Sequence, residues 1–488
     1  MSPALATRDA TLYSPSNRKQ ALLAHGQRYA SERQQRVRAN RYFYEDHYRY
    51  LRFLIPAGAR VLDLGCGIGD ELAALQPSHG VGVDLSEAIV EQARARHPDM
   101  TFFAADAEDP AFVATLDGPF DYIVISEAIG FLDDIESTLA GLQPLCTRDT
   151  RLVVSYYSPL WEPLLTVAER LGLKMPQTAQ NWLSTEDIAS IMGLAGFEVV
   201  RREWRQLIPK HALYLGPLVN RYLAPIPVLR RLCLRNYLVA RPIPETPLES
   251  PSTTIVIPCR NEKGNIEPAV QRIPPFADDI EIIFVEGGSQ DGTFEEAERV
   301  RDAYPDRDIK VFKQPGKGKA DAVWVGFDEA RCDILMILDA DLTVPPETLP
   351  KFYRALRDGK GEFINGSRLV YPLEDQSMRF LNMLANRFFA MIFSWLLNQR
   401  FTDTLCGTKV LRRTDYYRLK AGRSYFGDFD PFGDFDLIFG AAKLNLKSVD
   451  LPIRYQARTY GETQISRFRH GLLLLRMVHY AFKKLKAF

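Results

Sequence analysis

The sequence predicts two doubly wound α/β domains in series. Three observations carry that expectation. At 488 residues the chain is longer than one hydrophobic core ordinarily organises. A stretch dense in proline and serine, Pro242 to Ser252, reads as a linker near its middle. On both sides of it, short apolar runs of strand length end on glycine turns or acids and pass into helical patterns. The expected division is an N-terminal helical extension over 1–41, a first domain over 42–242, a linker over 243–252 and a second domain over 253–488.

Composition excludes some function classes. Lys and Arg number 61 and Asp and Glu also 61, so no bulk positive charge is present to hold a nucleic acid. The six cysteines form no C-x-x-C pair and read as reduced thiols of a cytosolic protein. The polar, Arg-rich start lacks an apolar core, and no run approaches about 18 uninterrupted apolar residues. Neither a signal peptide nor a membrane span is expected.

Residues 1–57 look helical and polar, with aromatic clusters at Tyr42 to Tyr44 and Tyr48 to Phe53 suited to a lid or an entry helix. Val61 to Leu64 is the first strand and runs into Gly65, Gly67 and Gly69, after which Asp70 to Leu75 continues as helix. Gly80 to Val83 is a second strand ending on Asp84, where a carboxylate can accept both hydroxyls of a ribose. Thr101 to Ala105 ends on Asp106, and Phe120 to Ile125 ends on Ser126 and Glu127. The motifs V-L-D-L-G-C-G-x-G, V-x-V-D-L-S, A-x-D and F-D-Y-I-V-I-S-E resemble those of class I S-adenosylmethionine-dependent methyltransferases. That resemblance implies a Rossmann-like fold with S-adenosylmethionine as cofactor. It implies that Asp63 and the backbone of Gly65, Gly67 and Gly69 meet the methionine moiety, Asp84 the ribose and Asp106 the adenine, with Ser126 also at the cofactor. By location, Glu127, Tyr156, Tyr157 and His211 are candidate bases for an unknown methyl acceptor. A noncatalytic module that binds the cofactor or a partner is the alternative.

Between Trp204 and Pro244 the chain carries Arg205, Lys210, Arg221, Arg230, Arg231, Arg235 and Arg241 but no acid until Glu245. Leu232 to Ala240 is expected to be the last strand of the first sheet. The remainder reads either as a surface for an anionic membrane or as a basic lid on the acceptor pocket.

In the second domain, Thr253 to Pro258, Glu281 to Val285 and Lys310 to Lys313 are strands. The fourth, Ile334 to Leu338, ends on Asp339 and Asp341. Two carboxylates one residue apart at a strand end can hold Mg²⁺ or Mn²⁺ and leave coordination positions for a diphosphate. The motifs I-V-I-P-x-x-N-E, V-E-G-G-S-x-D-G-T, G-K-G-x-A and L-D-A-D-L resemble the family 2 glycosyltransferases of GT-A fold, and within them the polyprenyl-phosphate sugar transferases of the dolichyl-phosphate mannosyltransferase type. The resemblance implies that Pro258, Arg260 and Glu262 line the nucleotide pocket, with Glu286 and Lys317 also on the donor side. It implies that Asp339 and Asp341 hold the metal diphosphate and that Arg368 faces phosphate. Glu286-Gly287 stands where the family commonly has paired acids, and Thr343 where a Gln is common, so the donor nucleotide and sugar are left open.

A lipid-phosphate acceptor is already anionic and needs cations, whereas a sugar hydroxyl needs a general base. Arg368, Lys409, Arg412 and Arg413 fall in the acceptor motifs and supply the cations. Asp434 and Asp436 fall where many relatives carry a catalytic acid and are read as orienters of those cations. Met378 to Phe401 is apolar on a wide arc and is expected to lie at the membrane interface, with Trp395 and the phenylalanines inward. After Glu462, Arg467, Arg469, Arg476, Lys483, Lys484 and Lys486 surround an apolar run, a pattern suited to anionic headgroups. The expected function is metal-dependent, inverting transfer from a nucleotide-sugar to a polyprenyl phosphate at the cytoplasmic membrane face by the second domain, with methylation of an unknown acceptor by the first. The alternative is sugar transfer to a soluble glycan or protein hydroxyl.

Overall fold

The structure, a computed structural model, describes residues 16–371, 380–425, 434–456, 458, 460 and 467–487. Side chains of 380–384, 424, 434 and 467–471 lie outside that description. The chain divides into two compact units, Met1–Ile243 and Pro244–Phe488.

In the first unit, helices α1 (Asn17–Ala39) and α2 (Arg41–Leu54) precede the sheet. Ser16 caps α1, its hydroxyl accepting the Lys19 amide at 3.2 Å. The strands are β1 (Arg60–Leu64), β2 (His79–Asp84), β3 (Thr101–Ala104), β4 (Tyr122–Ser126), β5 (Arg151–Tyr157), β6 (Phe197–Arg205) and β7 (Arg235–Pro242). They are ordered β3-β2-β1-β4-β5-β7-β6, parallel except for β7, which is antiparallel to both neighbours. Every residue of β5 and β7 is buried, as a sheet covered on both faces requires. The strand expected over Leu232 to Ala240 begins at Arg235 and inserts between β5 and β6, where it is paired on both edges.

The second unit has β8 (Thr253–Cys259), β9 (Ile280–Glu286), β10 (Asp308–Lys313), β11 (Ile334–Ile337), β12 (Phe363–Ser367), β13 (Lys409–Arg412) and β14 (Ser448–Pro452). The order is β10-β9-β8-β11-β13-β12-β14, with β13 antiparallel between β11 and β12. Ile255, Phe284, Met336, Ile364 and Val410 from five adjacent strands meet in one core. Both units are therefore doubly wound α/β folds, as the motif spacing predicts.

The two apolar segments expected at a membrane are packed more fully than the sequence implies. In the helix Phe380–Leu397, Phe389 and Phe393 are buried, and Phe393 packs on Phe435 and Phe439 at 4.9 and 5.7 Å between ring centroids. Trp395 packs against Phe482 of the helix Arg467–Leu485. Phe388 and Met391 are exposed. Lys486, expected at the surface, is fully buried and donates to Asn398 Oδ1 at 2.7 Å. Among the described residues no helix is long and apolar enough to cross a membrane.

Candidate active sites

In the first unit the turn after β1 is shaped by glycine. Gly65 has φ +85°, and a Cβ there would meet the Ala128 Cβ at 2.5 Å, so the backbone stays bare at the strand end. Asp84, closing β2, accepts the Gly67 amide on Oδ2 and the Ser86 amide on Oδ1, both at 3.0 Å. Asp63 is buried in β1, and its Oδ2 has no hydrogen-bond partner. Burial, then the charges of Glu71 and Asp84, push its carboxyl well above the ordinary range.

Gly65, Asp84, Asp106, Ser126 and Glu127 line one cavity of about 430 Å³, within the ordinary range of small-molecule sites. Its other wall was not legible as such. Lys19, Gly26 and Arg33 of α1 line it, so the expected extension over 1–41 is part of the site. Lys19 Nζ lies 2.5 Å from Asp106 and 2.6 Å from Glu108, all three largely withdrawn from solvent. Burial is the largest cause that raises the Asp106 carboxyl, to about 6.

Ser126 is drawn into a different cluster. Its hydroxyl donates to Glu71 Oε1 at 2.5 Å, while Glu71 Oε2 lies 2.8 Å from His47 Nε2. His47 Nδ1 is 2.8 Å from the Tyr237 hydroxyl, and burial lowers the imidazole pKa. His47 and Glu71 are separated by 24 residues and carry no shared motif, which is why sequence reasoning missed them. Of the candidate bases, Glu127 and Tyr157 line the cavity, and buried Arg235 holds Glu127 at 2.6 Å. Tyr156 instead donates to the Asn181 carbonyl at 2.5 Å, and His211 packs between Tyr42 and Tyr214. Neither is a wall of the cavity.

In the second unit, Pro258 lies near the end of β8, Arg260 and Glu262 follow that strand, and Glu286 closes β9 beside Cys259. The register brings these four to one end of the sheet. Asp339 and Asp341 leave β11 at the same end. Asp339 pairs with Lys319 at 2.6 Å. Burial alone would raise its carboxyl, but Lys319, then Lys409 and Arg368, bring it below the usual range. Asp341 pairs with Arg458 at 2.5 Å, and its other oxygen accepts the Thr343 hydroxyl at 2.8 Å. Arg458 also lies 3.7 Å from Glu262 and so bridges the two carboxylates. Lys319, two positions beyond the expected Lys317, is the lysine at the acid pair, and Lys317 is exposed.

The acceptor cations separate. Lys409 is fully buried at the site end of β13 and donates to the Cys406 carbonyl. Because β13 runs antiparallel to β11, Arg412 stands opposite Ile334, at the far end from Asp339. Five residues separate Ile334 from Asp339, which puts Arg412 roughly 16 Å from that acid, and Arg412 is held by Asp415 at 2.7 Å. Arg412 is thus set apart from the acid pair, at the opposite end of β13 from Lys409. Arg368 is clasped by Asp403, Nε to Oδ2 at 2.6 Å and Nη2 to Oδ1 at 2.9 Å. Asn386, from the apolar helix, donates to the same carboxylate at 2.9 Å, which ties that helix to the Arg368–Asp403 pair. Asp436 lies 3.4 Å from Arg423, so it faces a cation other than Arg368 or Lys409. The side chain of Asp434 and residues 461–466, with the expected Gly461-Glu462-Thr463 motif, lie outside the described residues.

The residues fit the implied groups. The orphaned Asp63 oxygen, the bare Gly65 backbone and the cavity suit an adenosyl sulfonium. No group of three His, Cys, Asp or Glu side chains among the described residues is arranged to hold a metal alone. Two carboxylates beside several cations instead suit an ion whose coordination a diphosphate completes.

Residues 29–202 match the family model for a methyltransferase domain, and residues 254–419 that for glycosyl transferase family 2. The chain carries a methyltransferase domain followed by a family 2 glycosyltransferase domain. The dolichol-phosphate mannosyltransferase of Pyrococcus furiosus is 38% identical over 119 residues, 24% of this chain and 33% of that protein. An undecaprenyl-phosphate 4-deoxy-4-formamido-L-arabinose transferase of Aeromonas hydrophila is 32% identical over 113 residues, 22% of this chain and 34% of that protein. The chain thus spans about a third of the length of these curated relatives. Among solved structures, a methyltransferase of Thermotoga maritima described as a possible histamine N-methyltransferase aligns with TM-score 0.35 and 20% identity, covering 45% of this chain and 99% of that one. Glucosyl-3-phosphoglycerate synthase of Mycobacterium tuberculosis aligns with TM-score 0.37 and 17% identity, covering 48% and 80%. The cavity of about 430 Å³ lies in the unit that holds the methyltransferase-domain match, and the Asp339–Asp341 pair in the unit that holds the glycosyltransferase match.

Proposed function

We propose that the glycosyltransferase unit moves a sugar from a nucleotide donor to a polyprenyl phosphate with inversion, and that the methyltransferase unit methylates a separate acceptor with S-adenosylmethionine. The observation that carries the first half is the surround of Asp339 and Asp341: Lys319, Lys409, Arg368 and Arg458 bring positive charge to that end of the sheet. Such a site serves an anionic acceptor oxygen, which needs orientation and charge balance but no proton removed. Asp339 and Asp341 would hold Mg²⁺ or Mn²⁺, which supplies Lewis-acid charge for the departing diphosphate. Lys319 and Arg458, now paired with these acids, would turn to the phosphate oxygens. Direct attack opposite the leaving group breaks one C–O bond as the other forms and inverts the anomeric carbon. The names of the relatives point to the same acceptor class, polyprenyl phosphates.

In the other unit Asp84 would receive the ribose hydroxyls and Asp106 the adenine amine. Bound S-adenosylmethionine supplies an electrophilic methyl group. Glu127, fixed by Arg235 and facing the cavity, would orient the acceptor and take its proton. We place the protein on the cytoplasmic face of the membrane, held through Phe388, Met391, Leu472 and Leu475, which are exposed on the two helices of the second unit.

Incubation with labelled nucleotide-sugars, Mg²⁺ or Mn²⁺ and undecaprenyl phosphate, then organic extraction, tests the acceptor. Label in the organic phase is expected. Label that stays water-soluble and needs no lipid phosphate would select a glycan or protein hydroxyl instead.

A further inference from the structure

The helix Glu162–Arg170 of the methyltransferase unit buries none of its residues, although it carries Leu164, Leu165 and Val167. A helix of a soluble unit ordinarily hides its apolar stripe. Leu160, Leu164, Val167 and Leu171 are between 51% and 68% exposed. A second segment shares the anomaly. The connection 206–234 between the antiparallel strands β6 and β7 far exceeds the two to five residues such strands ordinarily need. It exposes Leu213 at 97% and Val228 at 79%, with Tyr214, Leu215, Leu218 and Leu232 more than half exposed. Contiguous apolar exposure on this scale marks an interaction surface.

Charge names the partner. From Arg205 to Pro244 there is no acid, and Lys210, Arg221 and Arg231 are exposed among the apolar side chains. An apolar surface interspersed with exposed cations is complementary to an anionic lipid interface. Both segments also wall the cavity: Leu165, Ala168 and Leu173 from the first, Pro209, Lys210 and Leu234 from the second.

We propose that the methyltransferase unit seats 160–173 and 207–234 in an anionic bilayer, so that its cavity borders the lipid. A lipid-borne methyl acceptor is the class this arrangement serves. That clause rests on the methyl-transfer reading, whereas lipid binding does not.

The full-length chain is to be mixed with vesicles of phosphatidylcholine alone or of phosphatidylcholine with phosphatidylglycerol, without cofactor or sugar donor, and its amide hydrogen exchange measured. Protection of 160–173 and 207–234 with the anionic vesicles only is expected. The combined variant Leu213→Ser, Leu215→Ser and Val228→Ser should bind those vesicles roughly tenfold more weakly or worse. Arg221→Gln and Arg231→Gln should each weaken binding about fivefold. Should a variant fail to fold, the exchange data on the unaltered chain decide. Vesicle binding with unchanged exchange in both segments overturns the proposal, since contact then runs through other surfaces. Protection that grows with protein concentration in the absence of lipid overturns it in favour of a second copy of the chain.

Discussion

Replacing Asp403 with Asn should loosen the glycosyltransferase unit and disengage Arg368 together. The carboxylate is fully buried and accepts from Arg368 Nε, Nη2 and backbone amide, from the Leu405 amide at 3.0 Å and from Asn386. Burial would raise its pKa, but Arg368 and these hydrogen bonds lower it from 3.8 to about 2. At about 1.4 kcal/mol for each tenfold change in proton affinity, this corresponds to about 2 kcal/mol of stability. The amide also leaves the nearly buried Arg368 guanidinium without its counter-charge, so the measured loss should reach about 3 kcal/mol. Because the folded carboxyl titrates below its unfolded value, its contribution is complete above 3.8 and is lost as pH falls through about 2. Hydrogen exchange of the β12 and β14 amides under conditions of global opening reads the loss without interference from the methyltransferase unit. The gap between wild type and variant should hold constant from neutral pH to about 4 and close below it. A gap under about 0.5 kcal/mol at neutral pH, or one unchanged at the acid end, would refute the assignment of Asp403 as the anchor of Arg368.

Asp341→Asn, or excess chelator, should abolish sugar transfer and leave S-adenosylmethionine binding by calorimetry intact; full turnover in either case sinks the metal assignment. Arg412→Gln, at the far end of β13, should keep sugar transfer within about twofold, whereas Lys409→Met should lose it by about a hundredfold or more. Burial raises Asp106 to about 6, so its ionised form, the one able to accept from an adenine amine, is lost as pH falls through that value. Affinity for S-adenosylmethionine should therefore decline below pH 6 in the wild type, and Asp106→Asn should flatten that decline; identical profiles would remove Asp106 from the adenine site. The raised pKa has the opposite sense for stability: its contribution is greatest in acid and is lost as pH rises through about 6.

Local chemistry was legible where one stretch of chain does the work. Strand ends, glycine turns and the D-x-D pair arise from side-chain pattern and backbone freedom within a few residues, so both α/β folds, the glycine turn after β1 and the acids at the ends of β2 and β11 could be located from the sequence. What the sequence could not supply is partnership across distance. Lys19 reaches Asp106, His47 reaches Glu71, and Arg458 reaches Asp341 only once strands and helices are packed. Direction is equally hidden: nothing local says that β13 runs antiparallel, yet that decides that Lys409 and not Arg412 lies toward Asp339. Burial likewise turned Phe389, Phe393 and Lys486 inward and left Leu160, Leu164, Leu213 and Leu215 outside. Apolar composition states how much surface is to be covered, and only the tertiary structure decides what covers it, because neighbours in space are set by topology.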